Sequence, residues 1–81
     1  MSRRVHVQYY AVLRERAGIA GETVETGAGD AAALYDELAE RRKLAFPRAM
    51  LRVAINDEFA EWSRALADGD RVVFIPPVAG G

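Results

Sequence analysis

Three short segments of this chain read as strands with one apolar face, and a single segment long enough to cover them repeats with the period of a helix. Val5, Val7 and Tyr9 alternate with Arg4, His6, Gln8 and Tyr10, while Leu51, Val53 and Ile55 alternate with Arg52 and Ala54. Arg71-Val72-Val73-Phe74-Ile75 is a β-branched run stopped by Pro76 and Pro77, which cannot donate to a ladder. Between the first and second of these lie Ala31, Leu34, Tyr35 and Leu38, spaced i, i+3, i+4 and i+7 to make one apolar stripe. A half-apolar sheet and a one-striped helix have to bury those surfaces against each other. The chain has 81 residues and no cysteine, so the core is single, thin and without disulfides, and a domain this small buries only about 60% of its unfolded surface.

The remaining segments fill in the order. Ala11 to Ala17 suits a helical turn broken by Gly18 and Gly21. Glu22 to Thr26 reads as a second strand hairpinned to the first, followed by a Gly27-Ala28-Gly29 loop. Asp30 is an N-cap whose carboxylate accepts from first-turn amides, and Arg41-Arg42-Lys43 complements the C-terminal dipole of a helix that ends before Phe46-Pro47. Asn56-Asp57 and Asp68-Gly69-Asp70 are turns, with Phe59 opening a short fourth strand between them. The order ββαβ(β)β predicts an α+β, β-grasp fold like that of ubiquitin. It has a mixed sheet of four to five strands and one main helix packed on one face through a right-handed crossover. Residues 1–75 form the domain and residues 76–81 an extended tail. The predicted core is Val5, Val7, Tyr9, Leu34, Leu38, Val53, Ile55, Val72 and Phe74, with Tyr35 beside it.

Charge and composition exclude several functions. Eleven basic and twelve acidic residues leave no electrostatic footprint for nucleic acid or anionic lipid, and no apolar run approaches a membrane span. Met1-Ser2-Arg3-Arg4 resembles the start of a signal peptide, but alternation from Val5 to Tyr10 replaces the solid apolar block such a peptide needs. The absence of cysteine suits a reducing cytoplasm and removes thiolate metal sites and thiol nucleophiles. His6 has no cysteine or carboxylate companion and reads as a strand-surface residue. Gly27-Ala28-Gly29 lacks the full phosphate-binding fingerprint, Asp68-Gly69-Asp70 lacks the other ligands of a calcium loop, and Arg41-Arg42-Lys43 is explained by capping and solvation. No metal site and no cofactor bound by this chain is expected.

The C-terminus is where a bland account explains least. A buried-type strand runs into Pro76-Pro77-Val78-Ala79 and stops at Gly80-Gly81. Prolines hold the chain extended, so residues 76–81 are expected to project the terminal carboxylate up to about 20 Å from the sheet. Two glycines pass a narrow channel and adopt whatever backbone geometry a receiving site imposes. A carboxylate is a poor electrophile, and activation as an acyl-adenylate made from ATP by a partner is the simplest remedy. Conjugation to proteins and sulfur transfer both begin this way, and Gly-Gly alone does not decide between them.

Tyr10-Ala11-Val12-Leu13-Arg14-Glu15, Ala54-Ile55-Asn56 and Leu66-Ala67-Asp68-Gly69-Asp70-Arg71-Val72 lead to Phe74-Ile75-Pro76-Pro77-Val78-Ala79-Gly80-Gly81. With these, essentially the whole chain resembles the family of molybdopterin synthase small subunits, ubiquitin-like sulfur carriers. The resemblance implies that an ATP-dependent, E1-like adenylating enzyme activates Gly81, with Gly80 beside it. Sulfur from a persulfide donor protein then makes a C-terminal thiocarboxylate. It further implies insertion into the large synthase subunit, within a heterotetramer, where that sulfur passes to cyclic pyranopterin monophosphate. The catalytic pocket would belong to the large subunit. Tyr10, Phe59, Val73 and Ile75, on the sheet face opposite the core, would dock on both partners beside Pro76, Pro77, Val78 and Ala79. Ala79 stands where Thr or Ser is common in the family, and Trp62 and Arg41-Arg42-Lys43 look particular to this chain. The alternatives are a sulfur carrier for thiamine or cysteine synthesis, a ubiquitin-like protein modifier, and an interaction module whose Gly-Gly is incidental.

Overall fold

The computed structural model describes residues 2–77. In chain order the elements are β1 (Arg3–Tyr9), α1 (Ala11–Ala17), β2 (Gly21–Thr26), α2 (Ala31–Arg41), a 3₁₀ turn (Arg48–Met50), β3 (Arg52–Ile55), β4 (Glu58–Ala60) and β5 (Arg71–Ile75). They form one five-stranded sheet in the order β2-β1-β5-β3-β4, antiparallel except for the parallel β1–β5 pair at its centre. This is the expected mixed sheet of a ubiquitin-like β-grasp fold, with α2 as the main helix packed on one face. The register aligns Tyr9 with Phe74 and Phe74 with Val53, so alternate residues of three neighbouring strands share the buried face.

All nine residues predicted for the core are buried, as is Tyr35. The register and the helical stripe account for them. Leu13, Val24, Ala31, Leu44, Leu51 and Leu66 join them. Leu44 and Leu66 lie in connections without periodicity, which is why the pattern of the sequence does not mark them. Phe74, Tyr35 and Trp62 form a mutually contacting trio, with Phe74 edge-on to Tyr35 at 5.0 Å between centroids and stacked with Trp62 at 6.0 Å, and Tyr35 edge-on to Trp62 at 5.9 Å. Trp62 is thus a half-buried lid on the core edge, roofed by the Arg48 guanidinium at 5.8 Å.

The ends of α2 are tied at both sides. The Asp30 carboxylate accepts from Ala33 N–H at 2.8 Å, as its N-cap role requires. The carbonyls of Arg64 and Trp62 accept from Ala31 and Ala32 N–H, so three first-turn amides are satisfied. At the other end Arg41 pairs with Glu37 one turn back, but Arg42 reaches across to the sheet. Its Nε and Nη2 grip Glu22 at 2.9 and 2.5 Å, and the buried Tyr9 donates its hydroxyl to the same carboxylate at 2.6 Å. Arg42 therefore does more than solvate a helix end.

Candidate functional site

The chain leaves the sheet from its middle strand. β5 is bonded on both sides, to β1 and β3, so Ile75 and Pro76 emerge from the best-held part of the fold. Tyr10 follows β1 with extended backbone (φ −126°, ψ 153°), and Tyr9 opposite Phe74 sets Tyr10 beside Ile75. Around this exit Tyr10, Ala11, Val12, Phe46, Met50, Ile75, Pro76 and Pro77 line an open apolar depression of about 670 Å³. Tyr10 is 44% exposed and Met50 56%, while Val12, Phe46, Ile75 and Pro76 are half-buried.

The predicted docking residues do not all converge here. Tyr10, Ile75, Pro76 and Pro77 meet at the exit, whereas Val73 lies one row down the same face and Phe59 sits on edge strand β4. The register connects them, since Val73 is opposite Ala54 and Ala54 opposite Phe59. Phe59 is 66% exposed, with the Arg52 guanidinium 4.9 Å over its ring. Val78, Ala79, Gly80 and Gly81 lie outside the described residues. Sequence reasoning missed Phe46 and Met50, which stand in an irregular connection and reach the exit only through tertiary packing; an unpatterned Phe and Met flanking Pro47 were the available signal.

The rest of the molecule offers little conventional chemistry. His6 shares a hydrogen bond with Thr23 Oγ1 at 2.9 Å on the outer face, matching its expected surface role. Asp70 closes the turn before β5. Burial alone would raise its pKa, but Ala67 N–H, Asn56 Nδ2 and Arg64 all donate to the carboxylate and hold it below the usual range. Its acidic neighbour Asp68 accepts from Arg4 N–H, confirming that Asp68-Gly69-Asp70 is a turn. Arg42 lowers the Glu22 pKa, while burial, then the bond to Glu22, raises that of Tyr9. Among the described residues no group of His, Asp and Glu is arranged to hold a metal ion, and no helix is long and apolar enough to cross a membrane.

Residues 7–81 match the ThiS family. The chain is 36% identical to the molybdopterin synthase sulfur carrier subunit of Mycobacterium tuberculosis, over 96% of this chain and 98% of the relative. Among solved structures it is similar to small archaeal modifier protein 1 of Haloferax volcanii, with a TM-score of 0.77 and 26% identity over 94% of this chain and 99% of that one. It is also similar to a chain in the complex of subunits 1 and 2 of molybdopterin-converting factor from Helicobacter pylori. There the TM-score is 0.66 and the identity 28%, over 96% of this chain and 99% of that one.

Proposed function

The chain belongs to the ThiS family, and from that premise we propose that it is the sulfur carrier subunit of a molybdopterin synthase. The observation that carries this reading is the exit of Pro76-Pro77 from the central strand beside an exposed apolar depression, four residues before Gly81. The Gly81 carboxylate attacks the α-phosphate of ATP on an adenylating partner and releases pyrophosphate. The outer sulfur of a persulfide on the donor protein displaces AMP to give an acyl disulfide. A second thiol of the donor cleaves that S–S bond, forming a disulfide with the first thiol and releasing the thiocarboxylate. Within the large subunit, in a complex of two copies of each, that sulfur passes to cyclic pyranopterin monophosphate. No side chain of this protein serves as acid, base or nucleophile in the steps. The chain supplies its C-terminal carboxylate, which attacks in the first step and is attacked in the next, on a thin stalk, and a surface that holds the stalk's root against each partner. Tyr10, Val73, Ile75 and Phe59 belong to that surface, and Gly80 with Gly81 to the part that enters the partner's channel. The ATP-dependent step suits the cytoplasm.

The test uses the chain, its adenylating enzyme and ATP. The wild type is expected to release pyrophosphate, and a variant lacking Gly81 to release none while still associating with the large subunit. A Gly81-deleted chain that still yields thiocarboxylate and molybdopterin at the normal rate would sink the mechanism. The likeness to small archaeal modifier protein 1 favours a second reading, attachment of Gly81 to lysines of other proteins. Ladders of conjugates in host lysates, lost on deletion of Gly81, would support it.

A further inference from the structure

We infer that the segment between α2 and β3, through Phe46 and Met50, forms a second wall of the docking surface and is covered by the large subunit when the tail is inserted. This deepens the sulfur-carrier reading and rests on it. Four residues follow Pro77, and even fully extended they span at most about 14 Å. A protein that works on the Gly81 carboxylate must therefore bring its channel mouth to within that distance of Pro77. Its surface is pressed onto whatever surrounds the root of the tail. On one side that is the outer sheet face; on the other it is Phe46 and Met50, which complete the depression begun by Tyr10, Ile75 and Pro77. Of the three large apolar side chains this chain exposes among the described residues, two, Tyr10 and Met50, stand at this rim.

The segment is fixed in place before any partner arrives. Lys43 and Ala45 hold left-handed backbone (φ 55° and 50°), a conformation costly for residues with a Cβ and kept only where the surroundings impose it. Leu44 N–H, donating to the Ala39 carbonyl at 2.9 Å, closes the end of α2 around Lys43. Arg16, from α1, holds the next two residues by donating Nη1 to the carbonyls of Leu44 and Ala45 at 2.7 and 2.8 Å, with its guanidinium 5.8 Å from the Phe46 ring centroid. The hydroxyl of buried Tyr35 donates to the Phe46 carbonyl at 2.7 Å, and Met50 N–H to that of Pro47 at 3.0 Å. A wall held this way loses little freedom on binding, which favours a specific protein partner. The similar Helicobacter pylori chain, solved in complex with subunit 2 of its converting factor, points to the large subunit as the occupant.

The experiment compares wild type, Met50→Asp and Met50→Leu as full chains, measuring association with the purified large subunit by calorimetry and pyrophosphate release with the adenylating enzyme. Met50 is exposed, so both variants are expected to unfold at the wild-type temperature. Met50→Asp is expected to weaken association with the large subunit by about tenfold or more, because it buries an unpaired charge, and Met50→Leu to bind much like wild type. That result supports the inference whatever happens to pyrophosphate release. Undiminished association of Met50→Asp overturns it, and if pyrophosphate release alone falls, the wall serves the adenylating enzyme instead. A wild-type chain that neither releases pyrophosphate nor binds the large subunit would defeat the sulfur-carrier reading itself, a failure distinct from one confined to Met50.

Discussion

Phe74 shows how single residues set the stability of so small a molecule. It is fully buried against the rings of Tyr35 and Trp62 and opposite Tyr9 and Val53 in the sheet. Phe74→Ala is expected to cost about 3 to 5 kcal/mol, and Leu38→Ala about 2 to 5, measured by denaturant unfolding. Unchanged unfolding in both would mean that the strand faces are misassigned. Glu22 and Asp70 act through charge. Both carboxyls have folded-state pKa values below their unfolded values, so their contribution is fully present above about pH 4 and is lost as the pH falls through the folded values. Asp70→Asn is therefore expected to lower stability at pH 7 by about 1 to 3 kcal/mol, and the two unfolding curves to converge on acidification. A constant difference across that range would show that Asp70 is not held ionised. The residues on the strand periodicity were legible in the sequence, because burial follows alternation. Partnerships such as Tyr9–Glu22–Arg42 were not, since they join residues 13 and 20 positions apart through a fold not yet known.

Elements with local signals were likewise readable. α2 begins where Asp30 and the alanines place it, and Asn56 and Asp57 take the left-handed conformations (φ 53° and 71°) of a two-residue hairpin turn between β3 and β4. Asp30→Ala is expected to cost about 1 kcal/mol in urea unfolding, an effect moderated because Trp62 and Arg64 carbonyls still accept two first-turn amides. A loss well above about 2 kcal/mol would imply that the loop from residue 62 to 66 detaches with the cap. The 3₁₀ turn at Arg48–Met50 and the clamp of Arg16 on residues 44 and 45 have no periodic or capping signature. They arise from long-range contacts, and the Phe46 and Met50 wall of the tail's exit went unseen for that reason. Phe59 was legible as an outward residue, but its separation from Tyr10 by two intervening strands emerges only from the sheet order.

At the scale of the whole molecule, the sheet order turns the middle strand into a mount for the tail. β5 is hydrogen-bonded on both sides, so a pull or push on Pro76 is borne by the sheet's centre and not by a frayed edge. On the proposed sulfur-carrier reading the docking surface and the reacting group are separable parts. One added residue after Gly81 is accordingly expected to abolish pyrophosphate release while leaving association with the large subunit near the wild-type level. Equal loss of both would mean that the tail itself supplies most of the affinity. The central claim concerns the chemical state of Gly81, and the intact mass of the chain purified from its own host tests it most directly. A fraction heavier by the difference between sulfur and oxygen, with the extra mass confined to the C-terminal peptide and absent in cells lacking the adenylating enzyme, is the predicted result. A chain found only with its plain carboxylate in cells actively making molybdopterin, or with its added mass on another residue, would contradict the account.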